Sequence, residues 1–121
     1  MRKAQSFVTG AELALGVGDE PLLYLPGVAA ALAVLAGITA ADAACCAALG
    51  ERSRGQGHQE AIALVRTVRP HGAQMARDLE RLVQKKDNAH YGMISTTDTE
   101  AHAMIGWAQR LITCASAIVA G

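Results

Sequence analysis

The chain has 121 residues, 51% of them apolar, 18% charged and 3% aromatic, with 11 basic side chains against 11 acidic ones. That length makes one domain, spanning 1–121, able to bury a core without disulfides or a structural metal, and the apolar share excludes disorder. A formal charge of zero excludes a protein built to coat nucleic acid or an anionic membrane, and the aromatics Phe7, Tyr24, Tyr91 and Trp107 are too few for base-stacking platforms of the RRM or OB type.

Apolar residues recur at helical spacing, and no stretch alternates with period two, so the chain reads as all-α. The first helix is predicted over 3–16, with Ala4, Phe7, Val8, Ala11, Ala14 and Leu15 on one stripe, ended by GVGDEP at 16–21. The start has a basic flank, but Glu12 and the lack of a long apolar run argue against a signal peptide. Leu22 to Ala41 carries no charge, which is long enough for a membrane span. Its alanines drive insertion weakly, Pro26 interrupts it and no basic cluster flanks it. We read a buried central helix over 27–49, with Val28, Leu32, Leu35, Ile38, Asp42, Cys46 and Leu49 as the inward stripe and Gly50 as the stop.

After the basic loop ERSRGQG at 51–57, a third helix runs over 58–68 with His58, Ala61, Ile62, Val65 and Val68 on one side. Pro70 and Gly72 punctuate the next junction. The fourth helix, 73–90, places Met75, Leu79, Leu82, Val83, Lys86 and His90 in register. Thr97 and Glu100 form a capping box, and the fifth helix shows the cleanest period, from Ala101 through Met104, Ile105, Ala108, Leu111, Ile112 and Ala115 to Ile118 and Val119. Short connections make neighbours antiparallel, which predicts an antiparallel up-and-down helical bundle of four to five helices. The three cysteines, Cys45, Cys46 and Cys114, have no disulfide or ligand spacing, and suit reduced thiols in a cytoplasm.

No metal motif, phosphate-binding glycine loop or nucleophile elbow is present, so no metal or cofactor is expected. What remains is polar groups on apolar stripes. Asp42, between Ile38 and Cys46, needs a partner among Arg52, Arg54 and Lys86. It either orients a site or ties its helix to the basic loop. Lys86 and His90, one turn apart, are expected to meet at the inner end of the bundle, where a neighbouring cation favours the neutral, proton-accepting imidazole. The alternative is a helix end whose cations complement the macrodipole. Tyr91 either offers a hydroxyl to a phosphate or closes the core. His58 sits where an anion can meet a helix N-terminus together with Arg52 or Arg54, or it is a satisfied core histidine. Trp107 is either core margin or an oligomer contact.

Three blocks, AADAACCAALG at 40–50, SRGQGH at 53–58 and QKKDNAHYG at 84–92, together resemble small actinobacterial proteins of the HEPN superfamily, over about residues 28–120. The resemblance implies a helical bundle that dimerises and, in many members, acts as a metal-independent endoribonuclease in toxin–antitoxin or defence systems. Other members are non-catalytic and bind nucleotide, RNA or a partner protein such as an antitoxin. Active members carry Arg, four to six residues, then His. Here His90 matches the histidine and Asn88 the polar residue, but Lys85 or Lys86 stands at the arginine position. On this reading His90 and Lys86 are catalytic, Lys86 acting as a point charge on the phosphorane. Asp42, Arg52, Arg54, His58, Asn88 and Tyr91 then hold the substrate.

Overall fold

The computed structural model describes residues 1–16, 25–53, 57–91 and 96–121, with the backbone alone over 87–91. Among the described residues it contains five helices and no strand: α1 (Arg2–Gly16), α2 (Leu25–Leu49), α3 (His58–Arg66), α4 (Gly72–Tyr91) and α5 (Asp98–Ala120). Pro26 lies in the first turn of α2, where a missing N–H removes no helical hydrogen bond. Gly50 ends that helix with φ 72°, a conformation that glycine adopts without strain. Thr97 caps α5, its Oγ1 accepting from the Glu100 backbone N–H at 3.1 Å. The other half of the expected box differs: the Glu100 carboxylate accepts from the Thr97 hydroxyl at 3.3 Å and faces Lys85 at 3.9 Å.

The directions of the helices follow from their contacts. Glu12 meets Gln109 while Leu15 and Gly16 approach His102 and Ile105, so α1 and α5 are antiparallel. Asp78 pairs with Arg110 and Lys85 with Glu100, so α4 also opposes α5. Gly10 faces Leu32, each a similar distance from the connected ends of α1 and α2, as in a helical hairpin. Helix α2 therefore runs with α5 and against α1 and α4. One end of the bundle gathers the C-termini of α1 and α4 with the N-termini of α2 and α5. The other end holds the C-terminus of α2 and the N-terminus of α4.

Helix α2 touches all four other helices, and small residues make this possible. Its buried side is Ala29, Ala33, Ala36, Gly37, Ala40, Ala41 and Ala44 with Val34 and Cys45, so neighbouring axes can close to the short end of the usual 8–10 Å spacing. This reverses the expected orientation. Val28, Leu35 and Leu49 are exposed at 48%, 44% and 39%, Cys46 is exposed, and Leu32, Ile38 and Asp42 are half-buried. The bulky stripe points outward because the alanine side alone lets four helices approach one. Their larger side chains, Met75, Leu79, Leu82, Met104 and Leu111, are fully buried against it.

By length and composition, α2 and α5 are each apolar enough to cross a membrane.

Candidate functional site

Asp78 is the buried charged residue of the described core, with no exposed surface. It lies on the inner side of α4 beside Met75, Leu79 and Leu82, where an unsatisfied carboxylate would cost several kcal/mol. Its oxygens are instead well supplied. The Arg110 guanidinium donates through Nε to Oδ2 at 2.9 Å and through Nη2 to Oδ1 at 2.6 Å, a two-pronged pair between α4 and α5. The Gln74 amide donates to Oδ2 at 3.2 Å, and Arg81 brings Nη1 to 4.0 Å from Oδ1. The Arg81 guanidinium also lies 5.8 Å from the centroid of the Trp107 ring, within cation–π range.

The carboxylate is hidden while both arginines keep water access, Arg110 at 47% and Arg81 at 44% side-chain exposure. One buried negative charge thus aims two guanidiniums from different helices at neighbouring positions on the surface. The hydrogen bonds that Arg110 donates to Asp78, then the charge of that carboxylate, push the Arg110 guanidinium above its ordinary pKa, fixing it as a cation. Arg77 and Lys85 lie one turn to either side of Arg81 on the same face of α4, extending the basic line. Arg77 is exposed. The α4–α5 surface therefore offers cations, an indole face and N–H donors held in place, the set of groups that binds phosphate-bearing ligands.

The residues expected to form the site are placed otherwise. Lys86 is exposed rather than turned inward, since it follows Val83, the last buried residue of the α4 stripe among the described side chains, and its ammonium keeps its hydration. Asp42 and Lys86 also lie apart along the bundle. A Cβ built on Gly37 would fall beside Leu79 and Leu82. From that level Asp42 lies toward one end and Lys86 toward the other, because the helices are antiparallel, and they are separated by about 15 Å along the axis. No Asp42–Lys86 ion pair forms among the described residues.

Among the described residues Asp42 makes no ion pair with Arg52, though the charge of Arg52 reaches it. Partial burial raises the Asp42 pKa above the ordinary carboxylate value, and the positive charge of Arg52 opposes the rise. A raised pKa in the fold means that ionised Asp42 costs stability, increasingly so as pH rises through and above the ordinary carboxylate range. Asp42→Asn should therefore match or exceed the parent Tm at pH 7. The parent should gain relative to the variant as pH falls toward 4, a trend that thermal melts across pH will check.

His58 is half-buried at the first position of α3, behind Gly57, which provides no side-chain cap. Arg54 lies outside the described residues, as do the side chains of Asn88, His90 and Tyr91. Trp107 is half-buried under Arg81, at the core margin. No group of three or more potential metal ligands occurs among the described residues. A cavity of about 410 Å³ lies between α1 and α5, lined by residues including Glu12, His102 and Gln109. Its lining holds one carboxylate, Glu12, and one imidazole, His102, and it is separate from the Asp78 cluster.

No family model matches the chain, and neither the curated proteins nor the solved structures contain a match to it.

Proposed function

We infer that the chain is a HEPN-like helical module that binds a phosphate-bearing ligand, RNA or a nucleotide, on the α4–α5 surface. The observation that supports this reading is the convergence of Arg81 and Arg110 on buried Asp78, with the Trp107 indole beside them. Desolvating a flexible surface cation and fixing its rotamers opposes binding. Here the buried carboxylate and the indole have already ordered both guanidiniums. Two oriented forks suit a phosphate better than two lysines would, because each presents parallel N–H donors. With a formal charge of zero over the chain, contact with nucleic acid must come from such a local arrangement. The same α4 carries Lys86 and His90 toward its C-terminus, so an RNA along the basic line would approach them.

The test uses a fluorescein-labelled single-stranded RNA of about a dozen nucleotides, in EDTA and at low salt. Saturable anisotropy is expected. Arg81→Ala should weaken it about tenfold, the loss of one charge-assisted contact, with Tm little changed because Arg81 is half exposed and Asp78 retains Arg110. RNA recovered intact on a denaturing gel makes the chain a binding module. Fragments with 2′,3′-cyclic phosphate ends, absent with His90→Ala, make it a metal-independent endoribonuclease. An intact, folded protein that binds neither RNA nor nucleotide contradicts the reading.

A further inference from the structure

The pairing of Arg110 with Asp78 leaves a definite part of the guanidinium unused. Its Nε hydrogen and one Nη2 hydrogen go to the two carboxylate oxygens, which occupies the side edge of the planar group. An arginine has five N–H donors, so three remain, two on Nη1 and one on Nη2. Two of these lie parallel on the end edge, directed away from Asp78. Arg81 is freer still. Its Nη1 stands 4.0 Å from Asp78 Oδ1, a contact of charges, and its guanidinium makes no hydrogen bond among the described residues. The Trp107 ring, 5.8 Å away, steadies it. Arg110 Nη2 and Arg81 Nη1 both approach the same oxygen, at 2.6 Å and 4.0 Å, so they cannot be further apart than those two distances together. Neither arginine has a second carboxylate within ion-pair reach among the described residues. Two unfilled pairs of donors therefore stand side by side at one place.

We propose that this place takes a phosphate monoester, the terminal phosphate of an RNA strand or of a mononucleotide, in preference to the phosphodiesters within a strand. The inference rests on the phosphate-binding reading above and narrows it. A phosphodiester keeps two unesterified oxygens, a single edge that one pair of donors fills, and carries one negative charge. A monoester keeps three such oxygens and a charge of about −1.5 to −2 at pH 7. Two guanidiniums can then take different edges of the same group at once. The charges agree with this. Arg77, Arg81 and Arg110 set against Asp78 leave two positive charges uncompensated, which is what a dianion needs.

The interior of a strand lying along α4 would instead meet Arg77, Arg81 and Lys85 in turn, one cation to each phosphate. That path leaves Arg110 aside on α5 and relies on Lys85, whose ammonium already faces Glu100 at 3.9 Å. The pair at Asp78 is a point rather than a track. Its two members come from different helices and are aimed by one buried carboxylate, so they converge on one group more readily than they follow a row of them.

The experiment compares two RNAs of one sequence, labelled with fluorescein at the 3′ end and bearing either a 5′-phosphate or a 5′-hydroxyl, by anisotropy in EDTA at low salt with the full chain. The parent should bind the phosphorylated strand about tenfold more tightly, the gain of one charge-assisted contact. Arg81→Lys keeps the charge and loses the paired donors, so it should cut that preference to about twofold, with the 5′-hydroxyl strand bound much as before and Tm unchanged. Adenosine 5′-monophosphate should displace the phosphorylated strand, and its 3′,5′-cyclic counterpart, a diester, should not. Displacement near the strand's own Kd supports the free nucleotide as the source of the monoester. Displacement only at concentrations more than about tenfold higher supports the strand end. Equal affinity for the two strands, both bound saturably, overturns the monoester and leaves the phosphate-binding reading standing. The proposal also falls if the cyclic nucleotide displaces as well as the monophosphate, or if Arg81→Lys keeps the full preference. A folded protein that binds neither strand nor the mononucleotide overturns both readings.

Discussion

Arg110→Ala is expected to destabilise the bundle by about 3–5 kcal/mol, because it leaves the buried Asp78 carboxylate without its two-pronged partner. Gln74 and Arg81 remain nearby, at 3.2 Å and 4.0 Å, and hold the loss toward the lower end of that range. At this chain length the loss amounts to a fall of about 10 °C or more in Tm. The reverse truncation differs. Asp78→Ala removes the buried charge itself and frees two arginines that already reach water, so it should cost less than Arg110→Ala. Replacing both residues, as Asp78→Leu with Arg110→Met, should cost least, because an apolar pair of similar volume needs no partner. Chemical denaturation of the three variants will show this order. If Arg110→Ala proves the mildest of the three, Asp78 does not depend on Arg110 as described.

A second large effect is expected at Gly72, where α4 begins against the end of α3. A Cβ there would lie 2.6 Å from the Arg66 carbonyl oxygen and 2.8 Å from that of Val65. Both are backbone atoms at the last turn of α3, so no side-chain rotation relieves the clash. Gly72→Ala should therefore cost about 1–3 kcal/mol through forced displacement of the α3–α4 junction, even though alanine ordinarily favours a helix. Gly37 provides the comparison. Its added Cβ would lie 2.6 Å from Leu82 Cδ1, the end of a side chain with some freedom to rotate, so Gly37→Ala should cost less than Gly72→Ala. Equal or reversed losses in denaturant melts would mean that the junction yields more readily than its packing implies.

The helices could be read from sequence wherever one side differs from the other. The α5 stripe is buried as expected from Ala101 to Ala115, while Ile118 is half-buried and Val119 exposed at its end, and Thr97 caps that helix. Helix α2 departs from its expected orientation for a physical reason. Both of its sides are apolar, so periodicity cannot say which faces inward, and side-chain size points the larger residues to the core although the smaller ones allow closer packing. Lys86 is exposed for a related reason: register on a stripe does not place a long cation inside when the stripe runs out at the end of its contacts.

Asp78 carries a signal in the sequence, since it sits on the stripe of Met75, Leu79 and Leu82, a carboxylate among apolar neighbours. That signal is of the same kind as the one at Asp42, between Ile38 and Cys46. Its partner was not visible, because Arg110 is 32 residues away and only the antiparallel pairing of α4 with α5 brings them together.

Trp107 is the one tryptophan of the chain, and it lies under Arg81, so its fluorescence reports directly on the surface assigned to ligand binding. Titrating the folded protein with a short single-stranded RNA, and separately with a nucleoside triphosphate, at low salt should change the Trp107 emission saturably for at least one of them. The change should be much reduced in Arg81→Ala and should weaken as salt is raised. Emission unaltered by both ligands, or altered equally in Arg81→Ala, would contradict the assignment of a phosphate-binding site to Arg81, Arg110 and Trp107.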